Sequence, residues 1–403
     1  MARRWLTRNL VVLCAVSLLQ DAASELLYPV LPIFLTVTLG APVAVVGAVE
    51  GLAEGVASVT KVVAGRMADS FRRRALVAAG YGLAAVGKAV VASATVWPTV
   101  LAGRSMDRVG KGIRGAPRDA LLVEGIPPSA RGRAFGLHRA ADTGGAVIGP
   151  LIGLAAYEAL HHHIRPLLYV ALVPAAASTA LVAAVREPRR SPEPRRSPEP
   201  HGPGVRSALS PLGPRYRRVV AVLGLISLVN FPDALLLLRV KALGYTLVGV
   251  ILVYVAYNLS YAALSYPAGS LSDRVSPPLV FAAGLVCFAA GYLGLGLANS
   301  RRWVWPVMVL YGGFNACTDG VGKAWVSGLV DRAHQGRAQG LYQGVIGGGV
   351  LAAGLWAGLA WGRSGRVPLL VSGAVALAGA VGLVAGAGRL APSGPDAPIP
   401  VSR

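Results

Sequence analysis

Acidic residues are scarce in this chain, and cysteine is scarcer. Asp and Glu together number 18 in 403 residues against 39 Lys and Arg, and charged residues of both signs make up only 14%. Soluble domains carry roughly 25% charged residues, so this composition excludes an ordinary water-exposed surface. The three cysteines, Cys14, Cys287 and Cys317, each lie in an apolar run without a CxxC or CxxH spacing, which argues against a disulfide framework and a zinc site.

What fills the chain instead is apolar: 54% hydrophobic residues and a mean hydropathy of +0.57, which point to a membrane protein. A bilayer core about 30 Å thick needs roughly 20 mostly apolar helical residues. Twelve windows of that kind run approximately over 10–36, 43–67, 75–95, 98–122, 134–159, 166–185, 218–241, 247–270, 278–298, 303–329, 338–361 and 367–387. The start, MARRW followed by an apolar run, resembles a signal peptide. It lacks a small-residue cleavage site and continues through Asp21 and Glu25, so we read it as a first membrane helix.

Between the sixth and seventh windows the unit PRRSPE repeats in tandem, and its prolines and missing apolar residues describe a flexible spacer. Lys and Arg concentrate on alternate connections: Arg3, Arg4 and Arg8, then Arg66, Arg72, Arg73 and Arg74, then Arg131 and Arg133, and the linker itself. Cytoplasmic loops carry such an excess, so both termini and the linker are expected in the cytoplasm of a cell-membrane protein. The basic excess is thereby a topology signal and leaves little reason to invoke nucleic acid.

GRMAD (65–69) echoes in GSLSD (269–273), and GRAFGL (132–137) in GRAQGL (336–341); Asp69 to Asp273 and Gly132 to Gly336 are the same 204-residue step. A shared step in segments flanking a linker indicates duplication of a six-helix unit, and parallel repeats of that kind enclose a site near the membrane midplane. The expected architecture is all-α with twelve membrane helices in two pseudo-symmetric bundles. They cover 1–185 and 217–388, joined by a Pro/Arg-rich linker at 186–216 and followed by a tail at 389–403.

These residues resemble the major facilitator superfamily. GRMADSFRRR (65–74) is similar to its loop signature Gly-x-x-x-Asp-Arg-x-Gly-Arg-Arg, with Gly65, Asp69, Arg73 and Arg74 matching and Ser70 and Arg72 departing; Gly269, Asp273 and Arg274 echo it. Arg108-Val-Gly-Lys-Gly112 resembles the family's Arg-x-x-x-Gly motif, whose Arg is associated with proton transfer. Gly145, Gly149, Pro150 and Gly153 are similar to the signature of drug:proton antiporters, although Leu154 stands where its final Gly is usual. The resemblance implies a bacterial transporter that cycles by alternating access.

The residues themselves carry a chemistry. On a helical wheel Arg104, Asp107, Arg108, Lys111, Arg114, Arg118 and Asp119 fall within one stripe of about 140°. Gly110-Lys111-Gly112 lacks the Gly spacing and Ser/Thr of a phosphate loop. Ionisable side chains at bilayer depth are costly unless they face a bundle interior, water or each other, so the stripe is expected to line a cavity. Asp21 and Glu25 are spaced i,i+4, and Glu50, Glu54 and Lys61 share one face of the second helix. Carboxylates gathered away from water suit a proton site. Asp21, Glu25, Glu50, Glu54, Asp107 and Arg108 are thus expected in proton coupling, with Arg104, Lys111, Arg114 and Arg239 in the substrate cavity. Asp119 is expected to pair with Arg73 or Arg74. The glycines of helix five leave one face bare for close helix approach, and Pro150 favours a kink.

The function expected from these readings is proton-coupled export of a small organic molecule, with uptake or exchange of an anionic solute on the helix-four stripe as the alternative. The chain is expected to be no enzyme, to need no cofactor beyond the proton gradient, and to work as a monomer in the lipid bilayer.

Overall fold

The computed structural model describes residues 6–70, 72–122, 124–126, 131–187, 212–272, 275–330 and 335–390, and every regular element among them is a helix. We number the segments in chain order: α1 Arg8–Thr38 and α6 Ile164–Ala184, α2 Val43–Ser70, α3 Arg73–Ala92, α4 Trp97–Leu122 and α5 Arg131–Ala159. The second half holds α7 Pro214–Ser227 with Asp233–Ala242, α8 Leu247–Ser272, α9 Pro277–Leu297, α10 Val304–Ser327, α11 Gln335–Leu359 and α12 Arg366–Ala385. Each sequence window falls on one of these segments.

Among the described residues seven helices, α1, α3, α6, α8, α9, α11 and α12, are long and apolar enough to cross a membrane by length and composition. α4 and α5 carry charged residues, and α10 is diluted by Gly312, Gly313, Asn315 and Asp319. The window 218–241, read as one helix, is interrupted at 228–232. Pro232 has no N–H to continue the ladder and biases Phe231 toward extended backbone, so the helix restarts at Asp233.

Glycine seams set how closely the helices approach. In α3 and α4, Gly80 faces Gly110 and Gly87 faces Gly103; a Cβ on Gly87 would stand 2.5 Å from the Gly103 carbonyl oxygen. In α5, Gly145, Gly149 and Gly153 meet Leu18, Ala22 and Leu26 of α1, so the bare face expected there is a helix contact. A Cβ on Gly145 would stand 2.5 Å from the Leu18 oxygen.

The two bundles meet along α2 with α11 and along α5 with α8. Their tightest approaches, Gly47 to Gly354, Gly51 to Leu351 and Gly358 to Ala44, lie toward the end opposite the chain termini. There Phe34, Val46, Val49, Phe231, Leu235 and Val250 belong to one core spanning both bundles. At the terminal end the first bundle keeps a core of its own, around Leu10, Leu13, Tyr81, Leu121 and Val182. Its ends are tied by Asn9, which donates to the Arg186 carbonyl at 2.7 Å and accepts from the Arg186 N–H at 2.9 Å. Among the described residues this conformation is therefore sealed at the far end and divided at the terminal end.

Candidate functional site

The charged stripe of α4 faces inward. Arg104, Asp107, Arg108, Lys111 and Arg114 line a narrow cavity of about 20 Å³ together with Asp21, Ser24, Glu25 and Tyr28 of α1. The i,i+4 pair on α1 thus meets the basic stripe. The cavity is too small for an organic solute and has room for water or a proton path.

Within the first bundle two of these charges, Arg104 and Asp107, are neutralised by Glu50 and Lys88. Arg104 donates to both oxygens of Glu50, Nε to Oε1 at 3.0 Å and Nη2 to Oε2 at 2.7 Å. Lys88 donates to Asp107 Oδ1 at 2.7 Å, and Arg104 Nη1 stands 3.8 Å from Asp107 Oδ2. The close α3–α4 seam at Gly87 and Gly103 is what brings Lys88 to Asp107. All four side chains are at most 6% exposed, so the network is neutral and almost wholly buried. Glu50 and Asp107, expected as proton carriers, and Arg104, expected to hold substrate, are thus engaged with one another. Lys88 was missed by the sequence reading, because a lone Lys in an apolar helix carries no spacing signal. Arg114 lies with its guanidinium carbon 4.4 Å above the Tyr81 ring, a cation–π contact.

A second cavity, about 360 Å³, lies between the bundles. Tyr28, Glu50, Glu54 and Arg108 form its first-bundle wall, and Asn230, Phe231, Pro232, Asp233, Tyr311, Asn315 and Val350 the other. The break in α7 is what places Asn230, Phe231 and Asp233 here. Tyr257 and Tyr311 donate to the two oxygens of Asp233 at 2.8 and 2.7 Å, and Asn315 donates to the Tyr257 hydroxyl. Tyr254 donates to Glu25 Oε2 at 2.5 Å and stacks on Tyr28 with centroids 5.4 Å apart, joining α8 to α1 across the bundle interface. Stacking continues from Tyr257 to Tyr311 at 5.4 Å. No motif in the sequence links Asp233 to these tyrosines. The signal available was the i,i+3 spacing of Tyr254 and Tyr257, with Asp233 just after a proline; only the fold joins them.

Several expected placements are corrected. Arg239 lies outside the cavities: its guanidinium donates to the carbonyls of Leu295 and Ala298 at 3.0 and 2.9 Å, satisfying the end of α9, where helical carbonyls lack N–H partners. Asp119 pairs with its neighbour Arg118, accepting from Nε at 3.0 Å and Nη2 at 2.9 Å, and not with Arg73 or Arg74. Those two begin α3, and their backbone N–H groups donate to the Glu187 carboxylate at 2.9 and 3.3 Å. Glu187, assigned from sequence to the linker, thus caps α3 and ties it to the end of α6. Gly65 and Asp69 are helical at the end of α2, the Asp69 side chain lying outside the described residues; Gly269 is within α8, and Asp273 and Arg274 lie outside the described residues. At the terminal end of the first bundle Ser17 Oγ lies 2.8 Å from His138 Nε2, 3.3 Å from the Tyr81 hydroxyl and 3.4 Å from Arg118 Nη1, a local polar knot.

Two helical bundles built on a duplicated unit, with a polar cavity at their shared interface, define a membrane transporter of solutes. The chain belongs to the Major Facilitator Superfamily, whose description matches residues 13–238 and again 221–403. An MFS-type transporter of Methanocaldococcus jannaschii is 29% identical over 381 residues, covering 93% of this chain and 94% of the relative. The multidrug resistance protein MdtH of Photorhabdus laumondii is 33% identical over 126 residues, 31% of each chain. Among solved structures, the nucleoside transporter NupG superposes with a TM-score of 0.77 at 13% identity, covering 94% of this chain and 99% of that one. A peptide transporter POT in complex with sulfate gives 0.76 at 13% identity, over 96% of both chains. At those identities the likeness is one of fold.

Proposed function

We propose that the protein is a proton-coupled exporter of a small organic molecule, working by alternating access in the cell membrane with the terminal end in the cytoplasm. The observation that carries the reading is Glu25. It lines the narrow α1–α4 cavity beside Asp21 and the basic stripe, and it accepts the Tyr254 hydrogen bond from the opposite bundle. A carboxylate in that position joins proton occupancy to bundle contact. While Glu25 is ionised, Tyr254 donates to a full negative charge, one of the stronger kinds of hydrogen bond. A proton on Glu25 removes that charge and loosens the α1–α8 link.

In this reading Glu25 and Asp21 carry the proton, Arg108 sets their field, and Glu54 follows them in order of preference. The proton gradient is the energy source, and the monomer is the working unit. With the terminal end cytoplasmic, the described conformation is the inward-facing one. The sequence match to MdtH over part of the chain favours export. The alternative, exchange of an anion on the α4 stripe, is less well supported, since Arg104 is engaged by Glu50 and Arg114 by Tyr81.

The test is an export and drug-susceptibility screen of an overexpressing strain, with and without a protonophore. The reading expects a solute whose efflux rises with the wild-type chain, falls with the protonophore and falls with Glu25→Gln. Protonophore-insensitive export would contradict the coupling.

A further inference from the structure

The inter-bundle cavity carries one guanidinium, Arg108, beside Glu50 and Glu54 on its first-bundle wall and one carboxylate, Asp233, on the other, and Arg108 and Asp233 each have unused hydrogen-bonding capacity. Arg108 stands on the first-bundle wall, and its Nε is buried with no hydrogen-bond partner among the described residues. Buried donors are normally satisfied, and leaving one unmet is costly, more so when it is charged. Glu54 shares that wall. A guanidinium has five N–H donors, more than a single carboxylate can take. On the opposite wall Asp233 accepts one tyrosine hydroxyl on each oxygen, at 2.8 and 2.7 Å. Each carboxylate oxygen has about two acceptor sites, so both can take a further donor.

The cavity has a mainly apolar extension, with Ser227, Thr318 and Asp319 among its lining. A side pocket of about 190 Å³ in the second bundle shares Asn230 and Asn315 with it and is walled by Leu223, Leu285, Phe288 and Phe314. A simple anion would meet Arg108 but face Asp233; a simple cation would meet Asp233 and leave the Arg108 donor unmet. A molecule carrying both charges satisfies both walls.

Resting on the transporter reading above, we propose that this cavity binds an amphoteric amino-carboxylate with a bulky apolar side group. Its carboxylate accepts from Arg108, its ammonium donates to Asp233 beside the Tyr311 ring, and its side group enters the pocket past Asn230 and Asn315.

The full chain, purified in detergent, tests this by equilibrium binding. The probes are L-phenylalanine, L-tryptophan and L-leucine, together with phenethylamine, which lacks the carboxylate, and 3-phenylpropionate, which lacks the amine. The expected result is that L-phenylalanine binds at least about tenfold more tightly than either truncated analogue, the size of one good polar contact. Arg108→Gln should bring L-phenylalanine down to the level of phenethylamine while leaving phenethylamine within about threefold, and Asp233→Asn should bring it down to 3-phenylpropionate; tenfold and threefold correspond to well-separated free-energy steps. Equal affinities for the three phenyl compounds in the wild-type chain would overturn the proposal without any variant. So would the absence of binding by all three amino acids at millimolar concentration to monodisperse protein. Amino-acid binding without proton-driven flux in liposomes would sink the coupling reading and leave this one standing. Proton-driven flux of other solutes with no amino-acid binding would do the reverse.

Discussion

Glu50→Gln is expected to destabilise the first bundle far more than a surface charge change would. Glu50, Asp107, Arg104 and Lys88 sum to zero charge and are 6%, 4%, 4% and 2% exposed. The substitution keeps the shape but leaves one positive charge uncompensated among side chains that are almost wholly buried. Breaking a buried ion pair from one side costs about 3–5 kcal/mol. The amide oxygen can still accept from one of the two Arg104 donors, so a value near the lower end, about 3 kcal/mol, is expected. Removing both partners tells the mechanisms apart. With Glu50→Leu and Arg104→Leu together, Lys88 and Asp107 remain as a neutral pair at 2.7 Å, and replacing a buried pair by apolar residues is often neutral or stabilising. The double variant should therefore lie much closer to wild type than the single ones, a coupling of about 3 kcal/mol in a double-mutant cycle. Unfolding in mixed micelles by SDS titration, followed by tryptophan fluorescence, reads it. A Glu50→Gln chain within about 0.5 kcal/mol of wild type, or a double variant whose loss is the sum of the two, would refute the buried-network reasoning.

Other substitutions probe the seams, the cap and the bundle link. Gly149→Val places a Cβ 2.9 Å from the Ala22 Cα, and nearer still to its carbonyl oxygen; monodisperse protein should be lost on size exclusion. Gly153→Ala meets the Leu26 side chain at 3.1 Å and its carbonyl oxygen only at an ordinary 3.5 Å and should cost about 1 kcal/mol, so equal behaviour of the two would contradict the seam. Glu187→Ala removes the cap on the Arg73 and Arg74 N–H groups, at about 1 kcal/mol, and should speed tryptic cleavage at Arg72 and Arg73; an unchanged digest would count against the cap. Tyr254→Phe removes a hydrogen bond to a carboxylate, a contact worth about 1.5–3 kcal/mol. In a chain without native cysteines, alkylation of a cysteine placed at Ala48 should then quicken about tenfold, and an unaltered rate would deny the link a role in holding the far end closed.

The helices were legible in the sequence because each apolar window ended at Gly, Pro or charged residues, and because α4 sorted its charges onto one face. That Asp21 with Glu25, and the charges of α4, each share one helix face could be read from spacing alone, as could the bare face of α5. Interactions that depend on which helix lies beside which were not legible. Lys88 finds Asp107 only through the α3–α4 glycine seam, Arg239 finds the carbonyls of Leu295 and Ala298 only once α7 is folded against α9, and Glu187 reaches Arg73 only because α6 ends beside the start of α3. The wheel that put Asp107 among proton carriers had no way to show its partner. The second bundle was underread for a related reason: Asp233 acquires significance from Tyr257 and Tyr311, which are 24 and 78 residues away.

In the proposed mechanism, proton occupancy of Glu25 drives solute movement. The direct measurement is made on purified protein in liposomes with a trapped pH-sensitive dye and an imposed pH gradient. The solute identified by the export screen is then added outside. The account predicts solute-dependent proton movement with the wild-type chain, solute accumulation that collapses with the gradient, and solute exchange without proton movement for Glu25→Gln. Solute movement indifferent to the pH gradient, or full proton coupling in Glu25→Gln, would contradict it.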